Sequence, residues 1–204
     1  GQARVAHGSC RQDPNVPARV IRFPGDHGRD HAVRAGLLGP QAAIALFSDA
    51  DLSTRIPELQ KIVEPIEAGK CDLVLGSRAL DRSLIGHRQP WRREQGGKVF
   101  NAIVRLTTGL PFSDTQCGFK AFRMEAMRPI VEQAQIDGFG FDVELLFLAQ
   151  RAGLRMLEVP VRWDHDEGSK VHIVRDSVRM FAEVVSLRTR VSQSAGSAAL
   201  TKAS

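Results

Sequence analysis

The sequence predicts an α/β domain in which a mostly parallel sheet is flanked by helices. Apolar runs of strand length alternate along the chain with segments of helical periodicity, which is the pattern typical of such sheets. The run "AAIALF" (42–47) is apolar throughout, as expected for a strand that is covered on both faces. With 204 residues and no internal repeat, the chain is expected to form one domain with a substantial core.

The N-terminal half supplies the first elements. "ARVIRFP" (18–24) is typical of a short strand, and the glycine-rich loop after it leads into a helix that ends near Gly39. Beyond "AAIALF", Pro57 fits the first position of a helix, which Pro65 kinks or shortens. "CDLVLGSRAL" (71–80) is predicted to form the next strand.

A long helix is predicted over residues 91–108. Its apolar face is expected to consist of Val99, Ile103 and Leu106, with Phe100 and Val104 beside them. The basic segment "RQPWRRE" leads into the first turn of this helix. It carries Trp91, which is expected either in the core or at the place where a lipid enters the site.

The C-terminal half continues the alternation. "GFKAFR" (118–123) predicts a strand that runs into a helix, and "FDVELLFLAQRAG" predicts a helix before a strand in "LRMLEVPVRW". An apolar stripe over 171–190 indicates a last helix, which packs on the core or rests on an anionic membrane. Residues 191–204 are small and polar and are expected to be a disordered tail behind a domain of residues 1–190.

Composition and charge narrow the possible functions. The formal charge of +5 suits nucleic acid, anionic lipid or a phosphorylated substrate. The chain has no tyrosine and no alternation of aromatic and basic residues, so nucleic acid is not an expected partner. Its three cysteines show no CxxC spacing, which argues against a zinc site or a disulfide framework and favours a reducing compartment.

Two aspartates follow the buried run in "LFSDADLS" (46–53). Asp49 and Asp51 are separated by one residue, so in an extended chain their carboxylates point to the same side. At the carboxyl end of a parallel strand such a pair can hold Mg²⁺ or Mn²⁺ against a diphosphate. The alternative is that Asp51 caps the following turn and Asp49 is solvated. An aspartate-nucleophile phosphatase is a further reading, but the next strand end, "LVLGSRAL", lacks the acidic pair that it requires.

A longer pattern points to one family. "AVRAGLL", "LFSDADLST", "RQPWRRE", "SDTQCGFKAFR", "GFGFDVELLFLA" and "EVPVRWDHDEGSKV" occur in this order. Together they resemble the dolichyl-phosphate β-glucosyltransferase branch of glycosyltransferase family 2, over about residues 18–190. The resemblance implies a GT-A fold and inverting transfer of glucose from UDP-glucose to a polyprenyl phosphate, assisted by Mg²⁺ or Mn²⁺. It also implies a cytoplasmic protein that contacts the membrane peripherally.

The resemblance assigns roles to several residues. Asp49 and Asp51 match its metal and nucleotide-diphosphate motif, and Asp142 matches an acidic position that serves as base in many relatives. Asp142 is therefore expected to act as base or to position the substrate, unless it only stabilises the N-terminus of its helix. Asp114 and Gln116 lie in a loop that enters a strand, where substrate-facing residues concentrate. Asp114 is therefore a catalytic candidate, unless it only forms a turn, and Gln116 is a candidate for binding substrate.

Several cations are candidates for binding phosphate, because arginine and lysine suit phosphate oxygens. The candidates preferred from sequence are Arg78, Arg88, Lys120 and Lys170. Arg123 is expected to share one strand face with Lys120, and Arg92 and Arg93 are weaker candidates.

The resemblance also implies that the first βαβ part of the domain, which holds uracil and ribose, is lacking, so that the chain starts about 50 residues into the domain. Three explanations stay open: a shortened sequence, a short protein completed by a partner, and a non-catalytic remnant. The first competing function is glucosyl transfer, with weak or no activity expected of this chain alone. The others are transfer of another sugar, such as mannose from GDP-mannose, and a non-catalytic membrane-surface or partner-binding module.

Overall fold

The computed structural model describes residues 28–39, 41–49, 51, 53–86, 91–136, 138 and 140–164. In that part of the chain the helices are α1 (Gly28–Leu38), α2 (Leu59–Glu67), α3 (Trp91–Thr108), α4 (Met124–Gln133) and α5 (Phe141–Arg151). The strands are β1 (Ile44–Ser48), β2 (Leu73–Ser77), β3 (Phe119–Arg123) and β4 (Met156–Pro160). Short 3-10 turns occupy Ile56–Glu58 and Arg82–Leu84.

The four described strands form one sheet in the order β1-β3-β2-β4. β2 and β4 are parallel, whereas β3 is inserted antiparallel between β1 and β2. Three strands therefore run in the same direction, and two of the three pairings are antiparallel. The predicted α/β fold class is confirmed, with β3 as the strand that runs against the others.

Helices cover both faces of this sheet, which explains the continuous apolar runs. On one face, Leu73 and Leu75 of β2 and Phe122 of β3 pack against α3, α4 and α5 in the larger core cluster. On the other face, Val74 and Ala121 pack against α2 in a second cluster. All five residues of β2 are buried, since this strand has neighbours on both edges and helices on both faces.

Helix α3 has the predicted limits, but its inward face differs from the prediction. Phe100 and Val104 are buried in the larger cluster, whereas Val99 and Leu106 point outwards and are exposed. Both sets repeat at helical spacing, so periodicity alone did not decide which one faces the sheet. Pro65 lies in the last turn of α2, which ends two residues later at Glu67.

Other expectations lie outside the described residues. These are the strand over 18–24, the helix over 171–190 and the tail over 191–204. Within the described part, none of the helices combines the length and the apolar character needed to cross a membrane.

Candidate active site

One end of the sheet collects the polar residues that the sequence singles out. β1 and β2 end there at Ser48 and Ser77, and β4 ends there at Pro160, opposite Ser77. Because β3 is antiparallel, it begins at this same end, where Phe119 lies opposite Ser48. The segments after three strands and the loop before the fourth therefore meet, as at the ligand-binding edge of open α/β sheets.

Arg78 and Asp114 form the central ion pair of this edge. Arg78 follows β2, and its Nε and Nη2 donate to Asp114 Oδ2 and Oδ1 at 2.6 and 2.8 Å. The backbone N–H of Arg78 also donates to Asp114 Oδ2, at 3.0 Å. The Arg78 side chain remains 29% exposed and its guanidinium lies 5.4 Å from the ring centroid of Trp163, whereas Asp114 is buried. Two charge-assisted hydrogen bonds in parallel fix the guanidinium at the rim of the site.

The pair holds Asp114 in its ionised form. Burial opposes ionisation of Asp114, but the charge and hydrogen bonds of Arg78 outweigh it, so the pKa of Asp114 lies below its ordinary value. The pKa of Arg78 is raised in turn, because attraction to Asp114 outweighs burial, with smaller contributions from Cys117 and Asp49. The charge of Asp49 therefore reaches Arg78.

This ion pair makes stability depend on pH. Since the folded-state pKa of Asp114 is depressed, its stabilising contribution is full above the unfolded value of about 3.9 and is lost as pH falls through the folded value. An Asp114→Asn variant lacks this contribution. The difference in thermal unfolding midpoint between the parent and Asp114→Asn is expected to be widest near neutral pH and to narrow below about pH 4. A difference that stays constant from neutral pH to pH 3 would contradict an ionised Asp114.

Two residues that the sequence analysis missed hold the loop that carries Asp114. Glu158 of β4 accepts hydrogen bonds from the backbone N–H groups of Ser113 and Asp114 at 2.8–3.1 Å. Asn101 of α3 donates to the carbonyl oxygens of Phe112 and Ser113. An acidic residue inside the apolar strand "LEVPV" was the available signal for Glu158, whereas nothing in the sequence marked Asn101.

A pocket of about 280 Å³ opens beside the ion pair. It is lined by Arg78, Asp114 and Gln116, which the sequence analysis had selected, and by Trp163. Further lining comes from Arg82, Ile85, Glu94, Gly97, Lys98, Asn101 and Ser113. Glu94 bridges the cations of its wall, since its Oε1 lies 2.6 Å from Arg82 Nη2 and 2.9 Å from Lys98 Nζ. Arg78, Arg82 and Lys98 outnumber the carboxylates of Asp114 and Glu94 by one charge, which favours an anionic ligand in the pocket.

Asp49 is held at the end of β1 by close contact with Gly118. Its backbone N–H donates to the Gly118 carbonyl oxygen at 2.8 Å, which extends the β1–β3 pairing by one residue. The Asp49 carboxylate occupies the space next to the Gly118 Cα, so that a Cβ atom there would overlap it. The sequence "CGF" therefore has glycine where the carboxylate of another strand requires room.

Asp51 has a structural partner of its own. Its Oδ1 accepts a hydrogen bond from the backbone N–H of Ser53 at 3.0 Å, so it caps the turn as the alternative reading proposed. The other carboxylate oxygen, Oδ2, is not part of that hydrogen bond. Among the described residues, no three His, Cys, Asp or Glu side chains are grouped to hold a metal ion. The donor set fits a hard cation that takes one or two carboxylates and completes its shell with phosphate oxygens and water.

Lys120 and Asp142 are buried rather than presented to the pocket. Lys120 Nζ lies 2.8 Å from Asp142 Oδ1, and both side chains are 1% exposed. Lys120 also donates to the Cys117 carbonyl oxygen at 2.5 Å. The ion pair thus links β3 and the N-terminus of α5 to the end of the Asp114 loop. The proposed roles of Lys120 and Asp142 in substrate binding and base catalysis stay predictions, and the structure gives both a structural contact.

Residues close to Lys120 and Asp142 in the sequence also have structural contacts. Glu144 Oε2 accepts from the backbone N–H groups of Gln135 and Ile136. Arg123 lies on the opposite side of β3 from Lys120 and donates to the carbonyl oxygen of Ile66, so the prediction that they share one face was wrong.

Cys117 is buried, and burial together with the charge of Asp114 raises the pKa of its thiol to about 12, which keeps it protonated at neutral pH. The candidates Arg88 and Lys170 lie outside the described residues.

Solved structures of two complexes of one enzyme share the fold of this chain. A glucosyl-3-phosphoglycerate synthase of Mycobacterium tuberculosis in complex with phosphoglyceric acid superposes with a TM-score of 0.58 at 21% identity, over 85% of this chain and 57% of that one. The same enzyme in complex with Mn²⁺ and UDP-glucose gives a TM-score of 0.51 at 18% identity, over 85% and 55%. The fold is that of the GT-A glycosyltransferases.

The family follows from the sequence itself. Residues 8–131 match the family model of glycosyl transferase family 2. A dolichyl-phosphate β-glucosyltransferase of Dictyostelium discoideum is 30% identical over 193 residues, which cover 92% of this chain and 59% of that protein. A glycosyltransferase of Haloferax volcanii is 32% identical over 191 residues, covering 89% and 30%. The chain belongs to glycosyltransferase family 2, as the resemblance predicted, and spans less than two thirds of the length of these relatives.

Proposed function

We propose that this chain carries the catalytic end of an inverting glycosyltransferase that moves glucose from UDP-glucose to a polyprenyl phosphate. The observation that carries the proposal is the edge of the sheet at which Asp49 and the Arg78–Asp114 pair meet beside a cationic pocket. Similarity to proteins named dolichyl-phosphate β-glucosyltransferase supports the glucosyl group and the polyprenyl phosphate acceptor.

In this proposal the two aspartates face the donor. Asp49 and Asp51 would hold a divalent cation, Mg²⁺ or Mn²⁺, which when bound neutralises the charge of a nucleotide diphosphate. The backbone of Asp49 is held in place by the β1–β3 hydrogen bond, and glycine at position 118 leaves room for its carboxylate before any ligand arrives. Such preorganisation costs no rearrangement when the donor binds.

The pocket is proposed to receive the anionic acceptor. A phosphate there would meet the exposed part of Arg78 together with Arg82 and Lys98, which Glu94 holds in place. Gln116, in the same wall, is proposed to hydrogen-bond substrate. Arg88 and Lys170 are proposed as further phosphate ligands from sequence alone.

A phosphate acceptor relaxes the need for a base. Its oxygen is already anionic near neutral pH, so transfer requires positioning and charge stabilisation more than proton abstraction. That fits the burial of Asp142, for which we propose a positioning role: through Lys120 it fixes the Cys117 carbonyl and thereby the loop with Asp114 and Gln116. Because the acceptor is a lipid, peripheral contact with the cytoplasmic face of a membrane is part of the proposal.

The test is calorimetric titration of UDP-glucose into the purified chain with and without Mn²⁺, followed by the Asp51→Ala variant. Binding is expected to need Mn²⁺ and to weaken at least about tenfold, or 1.4 kcal/mol, in Asp51→Ala. Asp81→Ala is the matched control. Asp81 Oδ1 accepts from the backbone N–H of Ser83, just as Asp51 Oδ1 accepts from that of Ser53. It removes a turn cap and a charge outside the proposed donor site, so it should bind like the parent.

Two outcomes would count against the proposal. Tight binding that is indifferent to both Mn²⁺ and Asp51→Ala would remove the metal role of the aspartate pair. A folded chain that binds neither UDP-glucose nor GDP-mannose would favour the non-catalytic module instead. Binding of GDP-mannose alone would keep the reaction class and correct the donor.

A further inference from the structure

The outward face of α3 is mainly apolar, although it faces away from the core, and the half-buried Gln95 is the polar residue that lies on it. Trp91, Val99 and Leu106 are 72%, 61% and 83% exposed, and Ala102 between them is also exposed. At 100° per residue these four positions fall within one quarter of the helix, opposite Phe100 and Val104. Val99 and Leu106 lie about 10 Å apart along the axis, and Trp91 extends the face by about 12 Å more. We call these four residues the outer α3 face.

Cations border this face on the side of the pocket. Lys98 and Arg105 are exposed and lie between the outer α3 face and the side of the helix that contributes Gly97, Lys98 and Asn101 to the pocket. Their only acidic neighbour on the described part of α3 is Glu94. Going around the helix, the order is therefore apolar face, cationic border and pocket.

We propose that the outer α3 face is the surface by which this domain rests on an anionic lipid bilayer. A helix with a narrow apolar face and bordering lysine and arginine is suited to lie in the plane of a membrane interface. Negative lipid headgroups complement Lys98 and Arg105, and Trp91 is an aromatic residue of the kind favoured at headgroup level. The apolar residues would enter the headgroup region only partially.

This placement deepens the proposed function, on which it rests for the nature of the acceptor. With the outer α3 face on the bilayer, the pocket mouth adjoins the headgroup layer through Lys98. A lipid phosphate could then enter the pocket while its chain remained in the membrane. The domain would not need to extract the lipid into water.

The experiment is flotation of the purified 204-residue chain with vesicles. Phosphatidylcholine vesicles with about 30% phosphatidylglycerol provide anionic charge, and pure phosphatidylcholine vesicles serve for comparison. The variant is Val99→Ser with Leu106→Ser, because both side chains are exposed and their removal leaves the core intact. Binding to the anionic vesicles is expected to fall at least about tenfold in this variant. Arg105→Glu should weaken binding to anionic vesicles, and added salt should shrink that effect.

The matched control is Ile56→Ser with Leu157→Ser, which removes two exposed apolar side chains from elsewhere on the described surface. It should float like the parent. The proposal is overturned if the Val99/Leu106 variant floats like the parent, or if the parent binds neither kind of vesicle. It is also overturned if the variant changes the oligomeric state by light scattering, since the face would then join two copies. Loss of binding only on Arg175→Glu with Arg179→Glu would overturn it in favour of the segment over 171–190.

Flotation separates this inference from the function beneath it. The measurement needs no nucleotide, and the Val99/Leu106 variant should keep the parent's affinity for UDP-glucose. Vesicle binding without nucleotide binding would retain the outer α3 face and reject glycosyl transfer by this chain alone. Nucleotide binding by the parent, together with unchanged flotation of the Val99/Leu106 variant, would support glycosyl transfer and reject the outer α3 face as the membrane contact.

Discussion

A Lys120→Met variant is expected to lose about 3–5 kcal/mol of unfolding free energy, because it leaves the Asp142 carboxylate buried without its partner. Methionine retains an unbranched apolar stem but removes the ammonium group and its hydrogen bond to the Cys117 carbonyl. Urea unfolding followed by circular dichroism measures the loss. Since both side chains are 1% exposed, little water is available to compensate the charge.

The double variant Lys120→Met with Asp142→Leu sharpens this prediction. It is expected to recover most of the loss, because an apolar pair can replace a buried ion pair with little net cost. The four chains form a cycle that isolates the interaction between the two residues. Surface ion pairs contribute less than about 1 kcal/mol. A loss of unfolding free energy in that range for both Lys120→Met and Asp142→Leu would contradict a buried ion pair.

The same four chains distinguish the roles considered for Asp142. If Asp142 is the base, glucosyl transfer is lost in every variant that lacks it, whatever its stability. If Asp142 positions the loop through Lys120, the double variant should regain UDP-glucose binding together with stability. Binding and transfer are therefore measured on the same samples as unfolding.

Gly118→Ala is expected to weaken Mn²⁺-dependent binding of UDP-glucose at least about tenfold, because the added methyl group displaces the Asp49 carboxylate. The backbone of Gly118 is not in the left-handed region, so the effect is steric and arises at Asp49. The measurement is calorimetric titration, with unfolding of the same sample recorded in parallel.

Gly36→Ala is the control for this substitution. Gly36 lies in α1, and a Cβ there has no neighbour within 4 Å. The control should gain up to about 1 kcal/mol of stability from helix propensity and bind UDP-glucose like the parent. If Gly118→Ala binds with the parent's affinity in the presence of Mn²⁺, Asp49 does not need its observed position.

The sequence predicted best those elements whose side chains are buried on one face or on both faces. β2 is buried on both faces, so its apolar run was sufficient to identify it. The limits of α3 also agree with the prediction, and in the sequence they lie between a proline before Trp91 and a glycine after Thr108. The two aspartates after β1 were recognised because a polar pair at a strand end is distinct against an apolar run.

Other features depended on contacts between distant segments. Asp142 was expected at the substrate because it matches the acidic position of the family resemblance, and Lys120 because lysine suits phosphate oxygens. The pairing of β3 with β1 and β2 instead turns Lys120 towards α5, where Asp142 meets it. The outer α3 face was taken for the inner one, because two apolar stripes share one helix and only the sheet decides between them. Asn101 and Glu158 act on backbone groups, which no motif displays.

The order in which the chain is made has a bearing on when the site can exist. The loop with Asp114 depends on Glu158, which follows it by 44 residues. During synthesis, β1, β2 and β3 can all have formed while Ser113 and Asp114 still lack that acceptor. The pocket can therefore reach its final shape only after β4 has paired with β2. A nascent chain that ends before Glu158 has the sheet edge, but the pocket wall formed by Ser113 and Asp114 is not yet held in place.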